Sequence, residues 1–321
     1  MQGLVTVFGG TGFVGRHTVR ALARAGWRIR VACRRPHLAP ELRVMGEVGQ
    51  IELMQANVRV SSSVDRALEG AQAVVYLVGA LWERGPQRFE ALHVDGPRTV
   101  AAAAAAAGIE TFVMISALGA DAGSASKYAR TKAAGEAAVL QALPTATIVR
   151  PSVVFGQEDS FFNKFAAMAA MAPALPLIGG GATRFQPVFA GDVGKAVAAI
   201  LDTPKAAGRT YEIGGPGVYS FKTLMEILLK EIQHKRLLVP IPFGVAKVLG
   251  MAGDLVSVLP FAPPVTTDQV EMLKTDNVAD HGLPGLADLG VAPTPLEAVI
   301  PTYLWRFRKG GQFAQPEAAS V

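Results

Sequence analysis

"FGGTGFVGRH", residues 8–17, follows the apolar run Leu4–Phe8 (LVTVF) and precedes an amphipathic helix predicted over Arg16–Ala25. Its glycines fit two spacings at once, Gly9-x-x-Gly12-x-x-Gly15 and Gly10-x-Gly12-x-x-Gly15. Glycines at these points let the chain turn sharply and approach a pyrophosphate, whose charge then lies at the positive end of the helix. The position between strand and helix therefore predicts a dinucleotide-binding turn made of Gly9, Gly10, Thr11, Gly12, Phe13, Val14 and Gly15.

Short apolar strands and helices alternate beyond this turn. An alanine run, Ala101–Ala107, closes one helix, and Gly108 is a natural stop. The alternation predicts an α/β fold of Rossmann type, a doubly wound parallel sheet covered on both faces, with a small C-terminal lobe. The remaining predicted strands are RIRVAC ending at Arg34, Ile51–Gln55, Ala73–Val78, TFVMIS (111–116) and Ala146–Pro151.

The predicted domain division follows from the same alternation. Residues 1–156 and 185–215 form the dinucleotide-binding domain, and residues 157–184 and 216–310 form the lobe. Residues 311–321 are predicted to be a flexible tail.

Composition excludes several classes of function. Of the 321 residues 50% are hydrophobic, the net charge is +5, and no basic run is interleaved with aromatic residues, so no nucleic-acid partner is expected. Cys33 is the only cysteine and the five histidines form no ligand pair at helical spacing, so neither an intrachain disulfide nor a metal site is expected. Because the first strand begins at Leu4, no targeting segment is expected, and a bacterial cytoplasmic or processed organellar protein is predicted.

The end of the second strand indicates which nucleotide binds. An NAD-binding unit usually carries an acidic residue here for the ribose hydroxyls, whereas this chain has Arg34 and Arg35 after Cys33. A guanidinium binds a 2′-phosphate that a carboxylate would repel. Arg16 can add to the same pocket. NADPH (NADP) is therefore predicted in preference to NAD.

Tyr128 and Lys132 lie four residues apart on a predicted helix and so share a face. The ammonium can lower the pKa of the phenol from about 10 towards neutrality, and the same lysine can reach the nicotinamide ribose. The pair comes soon after a strand that ends at Ser116. The predicted cofactor site also includes Asn57, Val78, Gly79, Ser116, Arg150, Pro151 and Val153.

These motifs resemble the extended and atypical short-chain dehydrogenase/reductase superfamily over most of the chain. The matches are GGTGFVG, Tyr128 with Lys132, RPSVVFG (150–156) and FQPVFAGDVGKAV, which contains Asp192. YARTKAAGE, the proline-rich apolar stretch after Leu237 and GLPGLADLGVAPTPLE are similar to one branch, the nucleotide-binding accessory subunit of respiratory complex I, NADH:ubiquinone oxidoreductase.

This resemblance implies a structural NADPH that is not turned over, and other subunits of complex I as partners. It also implies a peripheral location on the cytoplasmic face of a bacterial inner membrane, or on the matrix side in mitochondria. Active extended enzymes place Ser or Thr where this chain has Leu118, and commonly Asn where it has His93, which is expected to be a surface or hydrogen-bonded helix residue. Tyr128 and Lys132 are therefore expected to bind the nicotinamide ribose and to do little chemistry. The alternative is a free-standing NADP-dependent reductase or epimerase for an apolar or quinone-like substrate.

The C-terminal lobe carries an apolar, proline-broken stretch, Leu237–Val265, with a helix predicted over Val245–Leu259 that is apolar nearly all round. Half of this helix is expected to belong to the core of the lobe. The apolar surface of the helix that remains outside this core predicts a docking surface for a membrane protein or lipid. The following segment TYLWRFRKGG (302–311) combines aromatic and basic residues, which predicts contact with anionic lipid headgroups at the membrane surface.

Overall fold

A seven-stranded parallel sheet organises the chain in the computed structural model, which describes residues 2–256 and 265–313. The strand order is β11-β6-β5-β4-β1-β2-β3, and every neighbouring pair runs parallel. The strands are β1 (Leu4–Phe8), β2 (Arg28–Cys33), β3 (Ile51–Gln55), β4 (Ala73–Tyr76), β5 (Thr111–Ile115), β6 (Thr147–Pro151) and β11 (Thr210–Ile213).

Alternate residues of the strands enter two separate cores. Val5 and Val7 of β1 pack on one face, whereas Phe8, with Val74 and Tyr76 of β4, packs on the other. The strand order reverses between β1 and β4, and ligands of such sheets bind in the crevice at the carboxyl ends of the strands at this point. The glycine turn follows β1 directly and therefore lies at that crevice.

Helices cover both faces of the sheet. The helices α1 and α6 pack against each other on one side, and α3 contacts both α2 and α4 on the other. Their ranges are α1 (Phe13–Arg24), α2 (Ser61–Leu68), α3 (Gly96–Ala106), α4 (Lys127–Ala142) and α6 (Ala190–Leu201).

The predicted fold class, a doubly wound parallel sheet, is confirmed. Two strands, β1 and β3, have the predicted bounds, whereas β4 ends two residues before the predicted Val78. Helix α1 begins at Phe13, earlier than the predicted Arg16, because the carbonyl of Gly12 already accepts the N–H of Arg16 at 2.9 Å. That early start places the helix N-terminus directly against the glycine turn.

The smaller lobe has its own core, built on an aromatic cluster that includes Phe155, Phe162 and Phe221. The domain boundaries themselves stay a prediction. Leu286 and Val291, which that division assigns to the lobe, pack in the core of the sheet. The remaining elements are β7 (Val154–Phe155), α5 (Phe162–Met171), β8 (Ala174–Ile178), β9 (Arg184–Phe185), β10 (Val188–Phe189), β12 (Tyr219–Ser220), α7 (Phe221–Glu231), β13 (Leu237–Ile241), α8 (Phe243–Val256), α9 (Thr267–Met272), α10 (Leu296–Val299) and α11 (Pro301–Leu304).

Part of the aromatic and basic segment 302–311 packs against the lobe, and its contact with lipid headgroups stays a prediction. Tyr303 is 2% exposed and its hydroxyl donates to Asp159 at 2.6 Å. The guanidinium of Arg308 forms an ion pair with Glu231. These side chains serve the internal packing of the lobe, because an ion pair and a buried hydrogen bond already engage them.

Two predicted segments fall partly outside the described residues. Residues 257–259 of the helix predicted over Val245–Leu259 and residues 314–321 of the predicted tail are not described, while Gly311–Phe313 form a short 3-10 turn. Within residues 2–256 and 265–313, no helix is both long enough and apolar enough to span a bilayer.

Candidate functional site

The glycine turn forms a cradle at the N-terminus of α1. Gly9 has a positive φ of 85°, and a Cβ on Gly15 would lie 2.2 Å from the carbonyl oxygen of Gly9, so both positions require glycine. A Cβ on Gly12 would meet only that oxygen, at 3.4 Å, an ordinary contact. The fold itself thus requires glycine at positions 9 and 15. The fold does not require glycine at position 12, where the missing side chain leaves room for a ligand.

A cavity of about 430 Å³ lies beside this turn at the end of β2. Arg34 and Arg35 are exposed in its wall, and within the described chain neither guanidinium has an ion pair. Arg16 also reaches the cavity, but Glu41 at 2.9 Å and Glu158 at 3.1 Å share its charge. The cavity therefore offers two free guanidinium groups for an anion. Its lining residues are Thr11, Arg16, Cys33, Arg34, Arg35, Leu38, Ala39 and Gln87.

Tyr128 and Lys132 come together in the first turns of α4, as predicted. The Lys132 ammonium lies 5.9 Å from the centre of the Tyr128 ring and donates to the carbonyl of Ile115 at 3.2 Å. Burial lowers the pKa of Lys132 to about 8, against the opposing effect of Glu136. Burial, followed by the charge of Asp268, raises the pKa of Tyr128. The expected lowering of the phenol pKa by Lys132 is therefore wrong for this structure.

Ser116 follows β5 directly, and its hydroxyl is buried without a hydrogen-bond partner among the described residues. An unsatisfied buried hydroxyl is costly, and a ligand oxygen can satisfy it. Leu118, in the position where active relatives carry Ser or Thr, is 5% exposed and offers no side-chain donor. The glycine cradle, the cationic cavity and this free hydroxyl together fit a nicotinamide dinucleotide.

His93 is a site residue that sequence reasoning set aside. It is fully buried in a π-helical turn, Glu90–Asp95, with Nδ1 3.1 Å from the Thr131 hydroxyl and Nε2 accepting the N–H of Ala80 at 3.1 Å. Its ring lies edge-on to Tyr128 at 5.2 Å. Burial, then the charge of Lys132, lowers the pKa of His93 to about 3, so the imidazole is neutral. Of its two expected interpretations, the hydrogen-bonded one is correct.

The structure places the other predicted residues at different distances from the site. A Cβ on Gly79, just after β4 and Val78, would lie 3.6 Å from the Lys132 ammonium, so this backbone borders the pair. Asn57 follows β3, and its side-chain oxygen accepts the N–H of Arg59 at 3.2 Å. Its contact with a nucleotide stays a prediction.

Arg150 lies in an ion-pair network. Its guanidinium donates to Glu136 at 2.9 Å and 2.6 Å and to Glu212 at 3.3 Å, so all three nitrogens are engaged by carboxylates. These ion pairs fix the guanidinium, and its contact with a nucleotide stays a prediction. After it, Pro151 accepts the N–H of Leu118 at 3.0 Å, and the N–H of Val153 donates to Asn277 at 2.9 Å.

No group of three His, Cys, Asp or Glu side chains that could hold a metal ion occurs in the part of the chain that the structure describes.

Several known proteins are similar to this chain. Residues 5–214 match the model of the NAD dependent epimerase/dehydratase family. The mitochondrial NADH dehydrogenase [ubiquinone] 1 alpha subcomplex subunit 9 of Arabidopsis thaliana is 37% identical over 320 residues, 97% of this chain and 80% of that protein. The Mus musculus subunit of the same name is 37% identical over 296 residues, 92% of this chain and 78% of that protein. A ceramide reductase of Caulobacter vibrioides is 36% identical over 203 residues, 63% of this chain and 62% of that protein.

Solved structures agree with the fold. The structure titled gox2253 superposes with a TM-score of 0.73 at 23% identity, covering 98% of this chain and 100% of that one. An NADPH-dependent quinone oxidoreductase from Escherichia coli, solved with NADPH, gives a TM-score of 0.71 at 19% identity, covering 92% of this chain and 97% of that one. The chain belongs to the NAD dependent epimerase/dehydratase family and, within it, to the family of the alpha subcomplex subunit 9 proteins of NADH dehydrogenase [ubiquinone].

Proposed function

We propose that the chain is an accessory subunit of respiratory complex I that binds NADPH structurally and stabilises the membrane-proximal junction without turning the nucleotide over. The observation that carries this proposal is a nucleotide cradle in a chain that has the buried Leu118, after β5, in place of a catalytic hydroxyl. A substrate carbonyl would lack one positioning hydrogen bond, which is typically worth a few kcal/mol of transition-state stabilisation. The raised pKa of Tyr128 also opposes proton transfer at neutral pH.

The relatives support other subunits of complex I as partners, because the Arabidopsis and mouse proteins are named as subunits of NADH dehydrogenase [ubiquinone]. We place the chain at the membrane surface as a peripheral protein, on the cytoplasmic face of a bacterial inner membrane or the matrix side in mitochondria. Their names describe mitochondrial subunits and support the matrix-side form of this proposal.

One surface of the lobe is suited to binding a partner at the membrane surface. The apolar face of α8 consists of large side chains that are 49–78% exposed. The opposite side of α8 packs through small residues, since a Cβ on Gly250 would lie 2.8 Å from the backbone nitrogen of Thr267 and Ala246 is fully buried. An exposed apolar face of this kind fits a membrane-proximal partner. The residues of the apolar face are Val245, Val248, Leu249, Met251 and Leu255.

The test of this function is purification through a tag on the chain in a gentle detergent. We expect the subunits of NADH:ubiquinone oxidoreductase to co-purify with it, identified by mass spectrometry. A tagged protein recovered alone, soluble and monomeric at low salt would contradict the proposal.

We propose that the cavity binds NADPH in preference to NADH. With Arg34 and Arg35 free to bind a 2′-phosphate, NADPH should bind at least about tenfold more tightly than NADH, or ~1.4 kcal/mol. Arg34→Asp should narrow or reverse this preference, because its carboxylate repels the phosphate and can accept from the ribose hydroxyls. Titration of both nucleotides by calorimetry measures the ratio.

Arg43→Asp is the matched control for this cofactor test. Arg43 is also exposed, and its replacement by Asp changes the charge by the same amount as Arg34→Asp does. Arg43 does not line the cavity. It should leave the preference intact. Equal affinity of the unmodified protein for NADPH and NADH would refute the assignment of NADPH.

A second candidate, an NADP-dependent reductase for an apolar substrate, is favoured by the pairing of Tyr128 with Lys132 and by the relative named ceramide reductase. Oxidation of NADPH by long-chain ketones, aldehydes or quinones separates the two functions. Steady turnover that disappears in Tyr128→Phe would favour the reductase. Turnover at the background rate, unchanged in Tyr128→Phe, is expected for the accessory subunit.

A further inference from the structure

A segment of the C-terminal lobe reaches back onto the nucleotide site. Residues 265–277, here called the strap, contain α9 and follow the docking helix α8 in the described chain. Two of its side chains, Asp268 and Asn277, bind backbone of the dinucleotide-binding domain more than 120 residues away in sequence. Sequence reasoning assigned neither residue a role.

Asp268 holds the first turn of α4. One carboxylate oxygen accepts the N–H of Lys127 at 2.5 Å, and the other accepts the N–H of Tyr128 at 3.2 Å and the hydroxyl of Ser126 at 2.9 Å. The first N–H groups of a helix have no partner within the helix, and a carboxylate is favourable at its positive end. Asp268 therefore fixes the turn that carries Tyr128 and, one turn later, Lys132.

Asn277 holds the segment that follows β6. Its side-chain oxygen accepts the hydroxyl of Ser152 at 2.8 Å and the N–H of Val153 at 2.9 Å. Its own backbone is fixed in turn, since its N–H donates to the carbonyl of Arg184 at 2.8 Å and its carbonyl accepts the N–H of Gln186 at 3.1 Å. The segment after β6 is also predicted to contact the cofactor. It lies beside the end of β5, to which Lys132 is bonded, since the carbonyl of Pro151 accepts the N–H of Leu118 at 3.0 Å.

The phosphate-binding half of the site is built without the strap. Its cavity is lined by seven residues between Thr11 and Ala39 and by Gln87, all from the dinucleotide-binding domain. The strap thus supports one half of the site, the half containing Tyr128, Lys132 and Val153, and leaves the half containing Arg34 and Arg35 untouched.

We propose that the strap is a positioning element for the nicotinamide–ribose half of the bound nucleotide, with Asp268 acting through Tyr128 and Lys132 and Asn277 acting through Val153. This inference rests on the proposed binding of NADPH. Because α9 also packs against α8, with Thr267 against Gly250, the seating of the lobe and the binding of nucleotide favour each other.

The test compares two ligands on the purified full chain. NADPH fills both halves of the site, whereas adenosine 2′,5′-bisphosphate carries the 2′-phosphate but lacks the nicotinamide and its ribose. Asp268→Asn and Asn277→Ala should each weaken NADPH binding at least tenfold and change the binding of the bisphosphate less than twofold. Asn277→Asp, which keeps a side-chain acceptor for Ser152 and Val153, should retain most of the NADPH affinity.

Glu271→Gln is the matched control, because Glu271 lies on α9 and, among the described residues, its carboxylate pairs only with Lys274, at 2.7 Å. It should leave both affinities unchanged. Equal weakening of both ligands would mean that the strap only stabilises the fold, and no weakening would mean that it does not position the site; either result overturns the strap proposal alone. An unmodified protein that binds neither ligand would instead overturn the proposed function, and this inference with it.

Discussion

Gly12→Val is expected to abolish nucleotide binding in a protein that still folds. Gly12 has a φ of −79° and a ψ of 175°, which valine can adopt, and a Cβ there makes only an ordinary contact of 3.4 Å with Gly9. The branched side chain would occupy the space that the pyrophosphate needs at the N-terminus of α1. We expect at least about a hundredfold loss of NADPH affinity, or ~2.8 kcal/mol. Loss of the glycine N-cap should cost about 1 kcal/mol of folding stability.

Calorimetric titration and thermal unfolding of the nucleotide-free protein measure these two effects separately. Gly15→Val should fail to fold, because its Cβ would lie 2.2 Å from the carbonyl oxygen of Gly9. Gly244→Val, at an exposed position with nothing within 4 Å of the added Cβ, should preserve binding. NADPH affinity in Gly12→Val equal to that of the unmodified protein would show that the turn does not cradle a pyrophosphate.

The fold could be predicted from the sequence because its signals are local. The apolar run of β1, the glycine spacing and the start of α1 lie within 20 residues of one another, and each constrains the backbone of its own segment. The same is true of Arg34 and Arg35, which stand at the end of β2 and enter the cavity without needing a distant partner. Local patterns of this kind fix the position of a strand, a turn and an exposed charge.

The rest of the site depends on contacts between distant segments. Asp268 and Asn277 reach the site across more than 120 residues, and no local pattern marks them. Arg150 meets Glu136 and Glu212 only in the folded chain, and its motif shows neither ion pair. The pKa of Tyr128 is raised by burial and then by the charge of Asp268, and burial is a property of the assembled fold.

The apolar helix α8 of the lobe is another feature that the sequence alone predicts only in part. An all-round apolar composition predicts burial but does not say which face is covered. In the structure the small residues Ala246 and Gly250 face α9, and the large residues lie outside, with Val248 65% exposed. The arrangement leaves the greater part of the apolar surface of α8 for a partner.

Val248→Asp combined with Leu249→Asp is therefore expected to release the chain from its membrane-proximal partner. Each large aliphatic side chain buried at an interface contributes about 1.5–3 kcal/mol, and the aspartates would add the cost of burying charge. We expect at least a hundredfold weaker association, ~2.8 kcal/mol, measured as loss of co-purifying subunits and a shift to the soluble fraction. High salt alone should release the unmodified protein poorly, because it screens charges but leaves the apolar contact.

Val44→Asp combined with Val48→Asp supplies the matched control, since these valines are 84% and 107% exposed and lie in the dinucleotide-binding domain, away from α8. This pair should leave the association intact. Both double variants should bind NADPH as the unmodified protein does, because neither α8 nor residues 44 and 48 contribute to the cavity or to the glycine turn. If the α8 variant still co-purifies with the same subunits as the control, the partner binds elsewhere on the chain and the apolar face of α8 is not the docking surface.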